Sequence, residues 1–153
     1  MKLSYDVINA LKGHTLVTAE SCTGGGIGAQ LTSVPGSSAV YKGGIISYTN
    51  QVKVALLGVE QSVLEQCGAV SAVVARQMAQ GARKRLSADY AVSVTGLAGP
   101  DGDTFGNPVG TVYIAFADDK KCVAKAYLFQ GSREEIRNQA VIAALELVLE
   151  AIQ

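Results

Sequence analysis

The sequence predicts an α/β fold, a three-layer α/β/α sandwich with a mixed sheet. Three observations favour this fold: apolar runs of strand character alternate with helical runs, glycines cluster where these runs end, and no repeat or linker divides the chain. The chain has 153 residues, of which 48% are apolar and 17% charged. This size and composition are typical of one folded domain, which we place at residues 1–153.

Helices and strands alternate in the first half of the chain. Thr23 is the candidate cap of the second helix. A β-branched and aromatic run that contains Gly43 and Gly44 indicates a strand with an irregularity. The expected elements are a helix over about 3–12, a strand at 15–19, a helix over about 23–33, a strand at 39–49, and short helices at 51–57 and 60–66.

Capping signals define the helices of the second half. Ser71 is the expected cap of a long helix that continues to about residue 87, with an apolar residue at every fourth position. Ser132 and Glu135 have the spacing of a capping box, which opens the final helix. The expected strands are 90–95, 109–117 and 122–129, of which the last two form a hairpin around 118–120.

Charge and composition exclude several classes of function. Lys plus Arg and Asp plus Glu both number 13, so no net field attracts nucleic acid or an anionic membrane. The longest apolar runs are far shorter than the roughly 18–20 residues of a membrane span. The amphipathic N-terminus carries Asp6 and does not resemble a signal peptide. Three widely spaced cysteines without a CxxC pair favour reduced thiols and a cytoplasmic location.

A glycine-rich turn follows the first predicted strand. Ser21, Cys22 and Thr23 precede a cluster of glycines, at the carboxyl end of a strand where ligands bind in open α/β sheets. Main-chain amides at the start of the next helix favour an anion. No acidic residue lies between Glu20 and Glu60. The turn therefore predicts an anion site, although a turn that only packs its helix on the sheet is the simpler alternative.

Motifs for dinucleotides, phosphate loops and metals are incomplete. The run 24–29 matches GxGxxG/A but lacks the acidic residue expected about 20 positions later, and no Walker motif occurs. The run 101–106 resembles the start of an EF-hand, yet Phe105 takes one ligand position and Val112 replaces the bidentate Glu. No His, Cys and carboxylate grouping indicates zinc. We therefore expect no metal and no cofactor.

A serine nucleophile needs a group that takes its proton. The only histidine, His14, lies at the opposite end of the strand that leads to Ser21, ~23 Å away for seven residues. Lys53 or Tyr48 is then the candidate, because both follow the strand expected beside the first one. A solvated lysine is the commoner case. Cys22 is the competing nucleophile if its position lowers the thiol pKa; otherwise it is a small buried hydrophobe.

Two further features point to the same edge of the sheet. The strand that ends at Thr95 and Gly96 enters a long glycine-rich loop, of a length often found in binding lids. Arg133 and Arg137 share one face of the final helix, where a pair of guanidinium groups suits phosphate. A solvated face, with the adjacent glutamates as partners, is the simpler interpretation of the two arginines.

Short runs across the chain carry a family resemblance. In order, they are 19–25 (AESCTGG), 35–38 (PGSS), 48–50 (YTN), 68–71 (GAVS), 96–100 (GLAGP) and 108–112 (PVGTV), with Arg137 after them. Together they resemble the CinA C-terminal domain family over about residues 3–150. Stand-alone bacterial members are nicotinamide-nucleotide amidohydrolases, which convert nicotinamide mononucleotide and water to nicotinate mononucleotide and ammonia.

The resemblance implies a serine amidohydrolase that needs no metal. Matched by motif, Ser21 would be the nucleophile, and Lys53 and Tyr48 would handle its proton. The implied substrate-binding residues are Glu20, Cys22, Thr23, Gly24, Gly25, Thr95, Gly96 and Arg137. The expected partner is nicotinamide mononucleotide, and a homo-oligomer is expected, with a dimer favoured. A non-catalytic nucleotide-binding or regulatory module is the alternative.

Overall fold

The computed structural model describes residues 1–153 and confirms the α/β/α sandwich. Its five strands are β1 (Leu16–Glu20), β2 (Tyr41–Ile46), β3 (Tyr90–Gly96), β4 (Thr111–Ala117) and β5 (Cys122–Leu128). They form one sheet in the order β2-β1-β3-β4-β5. Strand β1 pairs in parallel with β2 and β3, whereas β3, β4 and β5 are antiparallel. The sheet is therefore mixed, as predicted.

Six helices cover the two faces of this sheet. They are α1 (Lys2–Ala10), α2 (Gly26–Thr32), α3 (Asn50–Leu57), α4 (Gln61–Cys67), α5 (Ala72–Arg85) and α6 (Arg133–Ala151). Helices α1, α2 and α6 pack together on one face, and α5 packs on the other with α3 and α4 against it. None of the helices combines the length and apolarity that crossing a bilayer requires.

The two layers of helices rest on cores of different character. The core beneath α1, α2 and α6 consists of large aliphatic residues and Phe116. The core beneath α5 is rich in alanine, which lets the helix approach the sheet closely. Gly81 of α5 lies against α3, and a Cβ at this position would overlap the Leu57 carbonyl. This close contact fixes α3, the helix that carries Lys53, against α5.

Local capping signals behave largely as the sequence predicts. The Ser71 hydroxyl accepts from the Val74 amide at the start of α5, and Ser132 forms the full capping box with Glu135 at the start of α6. The prediction that Thr23 caps α2 is wrong. That helix begins at Gly26, and the Thr23 hydroxyl donates to the Glu20 carboxylate instead.

Three predicted strands are shorter in the structure, the last of them (122–129) by the single residue after Leu128. The first residues of the run 39–49 belong to a single 3-10 turn (Ser37–Ala39), and the last ones form the turn into α3. Strand β4 starts two residues later than predicted because Gly110 makes a tight turn with a φ of +96°. A Cβ there would overlap the Phe129 carbonyl, so the backbone of this turn requires glycine.

Candidate active site

A cleft of about 350 Å³ opens at the carboxyl ends of β1 and β3. Ser21 and Lys53 lie in it, the long loop after β3 forms one wall, and Arg133 of α6 lies at its edge. A larger groove of about 550 Å³ lies between α3 and α5. Its lining contains glutamine, lysine, arginine and glutamate but no serine, cysteine or histidine. Of these two cavities, only the cleft therefore contains a hydroxyl or thiol that could act as a nucleophile.

The Ser21 hydroxyl and the Lys53 amine are in hydrogen-bond contact. Lys53 is only 1% exposed, and its Nζ lies 3.1 Å from Ser21 Oγ. The same nitrogen donates to the carbonyl oxygens of Ser47 at 2.7 Å and Tyr48 at 3.4 Å. The Ser47 amide in turn donates to the Glu20 carbonyl at 2.7 Å, which ties the end of β2 to the end of β1.

Capping of α3 brings Lys53 into this position. The Thr49 hydroxyl accepts from the Val52 amide, and the Lys53 amide donates to the Thr49 carbonyl. Helix α3 therefore starts immediately after the turn that follows β2. Lys53 lies one turn into the helix and points back at the end of β1. Thr49 thus positions Lys53 by capping α3; it is not among the residues singled out from the sequence, although its place before a helix is a recognisable cap signal.

Burial controls the basicity of Lys53. Removal of the amine from water lowers its pKa from 10.5 to about 8. Its three protein partners are uncharged oxygens, so no carboxylate compensates for the burial. A neutral amine has two hydrogens and one lone pair. The two carbonyls can take the hydrogens, which leaves the lone pair for the Ser21 hydroxyl.

Cys22 has the properties of a buried thiol. Burial raises the thiol pKa to about 11, although Arg137 and Lys53 lie close enough to oppose the increase. The idea that a helix N-terminus lowers this pKa is wrong here, because α2 begins only at Gly26. The Cys22 thiol is therefore protonated near neutral pH and is a weaker candidate nucleophile than Ser21.

The turn after Ser21 leaves three main-chain donors unused, those of Cys22, Thr23 and Gly25. The amides of Ser21 and Gly24 donate to the carbonyls of Val94 and Ser21, respectively. The amides of Cys22 and Thr23 donate to no acceptor in the chain. They immediately follow the candidate nucleophile, so they can stabilise an oxyanion that forms on a group attacked by Ser21.

The glycines that follow allow this turn to close. Gly24 and Gly25 have φ values of +59° and +102°, which side chains other than glycine rarely adopt. A Cβ at Gly24 would lie 3.2 Å from the Arg137 guanidinium, and one at Gly25 would lie 3.2 Å from Ile46. Both glycines therefore shape the backbone around Ser21.

Glu20 occupies the anion position that the sequence predicted for a ligand. Its carboxylate, only 2% exposed, accepts from the amides of Ile27 and Gly28 at the start of α2. It also accepts from the hydroxyls of Thr18 and Thr23. The protein's own carboxylate thus satisfies these amides. The Glu20 carboxylate therefore fills the anion site predicted at α2, and the substrate-binding role expected of Glu20 stays a prediction.

Tyr48 and Arg133 meet at the edge of the cleft. The Tyr48 side chain is 58% exposed, and its hydroxyl accepts from Arg133 Nη2 at 2.9 Å. Arg133 Nη1 donates to the Gly99 carbonyl on the opposite wall. In the structure, Tyr48 therefore contacts Lys53 through its main-chain oxygen and not through its phenol, and its expected role in proton transfer stays a prediction.

Arg137, on α6, braces the turn that follows Ser21. Its Nε donates to the Cys22 carbonyl at 2.9 Å, and its Nη2 donates to the Thr23 carbonyl at 3.3 Å. Arg137 and Arg133 also line a neighbouring cavity of about 460 Å³. The interpretation of these two arginines as a solvated face is wrong, because both donate to residues of the candidate site.

Of the remaining positions named from the sequence, Thr95 and Gly96 lie in the cleft, and His14 lies at the other end of the sheet. The Thr95 hydroxyl donates to the Ala69 carbonyl at 2.9 Å. The carboxylate of Asp103, from the rejected EF-hand motif, accepts from the amides of Phe105 and Asn107 and so organises the loop. His14 lies beside Asp89 at the other end of the sheet, 3.7 Å away, as the strand length predicted.

Comparison with known proteins identifies the family. The family model of the CinA C-terminal domain matches residues 2–152. The chain belongs to the CinA C-terminal domain family. A CinA-like protein of Geobacter sulfurreducens is 51% identical over 135 residues, which cover 88% of this chain and 33% of the relative. A CinA-like protein of Synechocystis is 45% identical over 153 residues, covering 96% and 37%. The chain thus spans about a third of the length of these curated relatives.

Solved CinA structures share the whole fold. The competence/damage inducible protein CihA from Agrobacterium tumefaciens superposes with a TM-score of 0.96 at 40% identity, covering 99% of this chain and 94% of that one. A CinA superfamily protein from Escherichia coli gives a TM-score of 0.91 at 36% identity, covering 98% and 86%. These CinA matches confirm the family resemblance and the predicted fold.

Proposed function

We propose that this CinA domain hydrolyses the carboxamide of nicotinamide mononucleotide to give nicotinate mononucleotide and ammonia. The observation that carries the proposal is the 3.1 Å contact between Ser21 Oγ and the buried amine of Lys53. A hydroxyl beside an amine of lowered pKa is an activated nucleophile. The reaction consumes one water and supports the recycling of pyridine nucleotides.

The first step is the attack of Ser21 on the carboxamide carbon. Neutral Lys53 accepts the Ser21 proton as the bond between Oγ and the carbon forms. The carbonyl oxygen becomes an oxyanion, which the amides of Cys22 and Thr23 stabilise. One such donor is typically worth about 10²–10³ in rate. Protonated Lys53 remains hydrogen-bonded to the Ser47 and Tyr48 carbonyls, which accept from either form of the amine.

Collapse of this intermediate breaks the carbon–nitrogen bond. Lys53 returns the proton to the departing nitrogen, so ammonia leaves and a nicotinoyl ester remains on Ser21. Lys53 is then neutral and accepts a proton from a water molecule that attacks the ester. The oxyanion forms again at the same amides, and its collapse returns Ser21 as a hydroxyl with nicotinate mononucleotide as the product.

The surroundings of the cleft suit a phosphorylated substrate. Arg133 and Arg137 line the cavity beside the cleft, and two guanidinium groups suit a phosphate. The anion site expected at α2 is filled by Glu20, so the two arginines are the better candidates for the phosphate. We therefore place the carboxamide at Ser21 and the phosphate near the arginines. A second copy of the chain remains a proposed partner.

Ammonia release from nicotinamide mononucleotide tests the proposal. Ser21→Ala and Lys53→Met should each lose at least about 10³-fold in kcat/KM, since removal of one member of a catalytic pair disables it. Thr32→Ala, which removes a hydroxyl from α2 outside the cleft, is the control and should remain active. Full activity in Ser21→Ala would refute the mechanism. Binding of the mononucleotide without turnover by the wild type would favour the alternative, a nucleotide-binding module.

A further inference from the structure

Arg133 connects the two walls of the catalytic cleft. It donates to the Tyr48 hydroxyl, which follows β2, and to the Gly99 carbonyl in the loop after β3. The same guanidinium lines the neighbouring cavity that contains Arg137. One side chain therefore spans the mouth of the cleft and forms the boundary between the cleft and the arginine cavity.

The two acceptors of Arg133 are replaceable. Both are uncharged, and the Tyr48 side chain is mostly exposed, so water can take over its hydrogen bond at little cost. A phosphate can accept two parallel hydrogen bonds from one guanidinium, and charge-assisted bonds are roughly twice as strong as neutral ones. Arg137 adds a second cation to the same cavity. The one carboxylate in the lining, Glu134, opposes an anion, but the two guanidinium groups outnumber it, so the cavity keeps a positive charge that attracts a phosphate to Arg133.

We infer that Arg133 makes hydrolysis depend on the substrate's phosphate. Bound to Tyr48 and Gly99, Arg133 holds the mouth of the cleft together; bound to a phosphate, it releases both. Release frees the Tyr48 phenol to turn into the cleft, where the main-chain oxygen of the same residue already contacts Lys53. This inference rests on the proposed function. It makes Arg133 a residue that selects phosphorylated over unphosphorylated nicotinamide nucleosides.

Kinetics with two substrates test this selection. Nicotinamide mononucleotide and nicotinamide riboside share the amide, the ring and the ribose and differ only in the phosphate. Arg133→Gln should lower kcat/KM for the mononucleotide by about 10- to 100-fold, the loss expected for charged hydrogen bonds. The riboside should be hydrolysed at least as well as by the wild type. Arg133→Lys should be intermediate, because it keeps the charge but not the planar fork.

The matched control is Arg85→Gln, which removes an exposed arginine at the end of α5 without hydrogen-bond or ion-pair partners. It should leave both substrates unchanged. If Arg133→Gln lowers kcat/KM equally for the mononucleotide and the riboside, Arg133 is only a structural brace, and the inference is overturned.

A binding measurement separates this inference from the proposed reaction. Isothermal titration with ribose 5-phosphate requires no turnover, and Arg133→Gln should weaken binding at least about tenfold. Tyr48→Phe removes the competing hydroxyl, so it should tighten binding of ribose 5-phosphate by about two- to tenfold. If Arg133 were only a structural brace, Tyr48→Phe would not tighten the binding of ribose 5-phosphate. If the wild type hydrolyses neither substrate, the proposed function fails and the titration alone decides: unchanged affinity in both variants overturns the role of Arg133.

Discussion

The Lys53 amine lies closer to the Ser47 carbonyl, at 2.7 Å, than to the Ser21 hydroxyl, at 3.1 Å. The carbonyl thus anchors the amine, while the hydroxyl is the one partner that can give it a proton. The backbone turn after β2 fixes where the amine lies, and burial fixes how basic it is. These two effects are independent, so they lead to separate predictions.

The rate of hydrolysis should follow the titration of Lys53. In the proposed mechanism the neutral amine is the base, so kcat/KM should fall about tenfold for each pH unit below the pKa and level off above it. The turning point should lie near the pKa of about 8. Ammonia release measured from roughly pH 6 to pH 9.5 gives the profile. A rate that is constant across this range would show that Lys53 is not the base.

The stability of the fold should also rise with pH because of Lys53. Its folded pKa of about 8 lies below the ordinary value of 10.5, so between these values the unfolded chain binds the proton that the folded chain has released. The state that binds more protons loses population as the pH rises, so the folded state gains. A group with these two pKa values increases the free energy of unfolding by about 1 kcal/mol when the pH rises from roughly 8 to 9.

Urea unfolding of the wild type and of Lys53→Met at these two pH values measures the contribution. The free energy of unfolding of the wild type minus that of Lys53→Met should increase by about 1 kcal/mol from the lower to the higher pH. The value of this difference at the lower pH does not matter. Other groups titrate in both proteins and cancel in the comparison. Parallel pH dependence of the two free energies of unfolding would mean that the amine keeps its ordinary pKa.

The sequence predicted features that depend on local hydrogen bonds more reliably than features that depend on distant ones. The caps at Ser71 and Ser132 are satisfied within three residues of the chain, so their signals are complete in the sequence. Glu20 instead accepts from amides seven and eight residues away. No periodicity or spacing distinguishes a carboxylate that caps a helix from one that binds a ligand.

In the candidate site, too, contacts between residues far apart in the sequence were not predicted. Arg133 is 85 residues from Tyr48, and Arg137 is 115 residues from Cys22. The fold brings them together only when α6 packs beside α2. The pairing of Ser21 with Lys53 could be predicted from the sequence because two neighbouring parallel strands end at the same edge of the sheet. The Ser47 carbonyl that anchors the amine could not be predicted, since every residue has a main-chain carbonyl.

Cys22 should be dispensable for catalysis. Its thiol pKa of about 11 leaves almost no thiolate at neutral pH, and its carbonyl and amide do not depend on the side chain. Cys22→Ala should therefore keep kcat/KM within about threefold of the wild type, whereas Ser21→Ala should lose at least about 10³-fold. The assay is ammonia release from nicotinamide mononucleotide. Equal losses in the two variants would make the thiol part of the mechanism.

Glu20 should matter for stability and not for substrate affinity. In Glu20→Gln, an amide nitrogen replaces one of the two accepting oxygens, so this donor would face either the Thr23 hydroxyl and the Ile27 amide or the Thr18 hydroxyl and the Gly28 amide. At least one buried amide would then lose its acceptor, so the variant should lose about 2–3 kcal/mol of stability.

For a chain of this size, that loss corresponds to a Tm lower by roughly 4–10 °C. Thermal unfolding measures it, with Glu146→Gln on the exposed face of α6 as the control that should leave the Tm unchanged. Below the transition, the KM for the mononucleotide should match that of the wild type. A higher KM with an unchanged Tm would restore Glu20 as a substrate-binding residue. That result would require the carboxylate to leave the four donors on which the turn beside Ser21 depends.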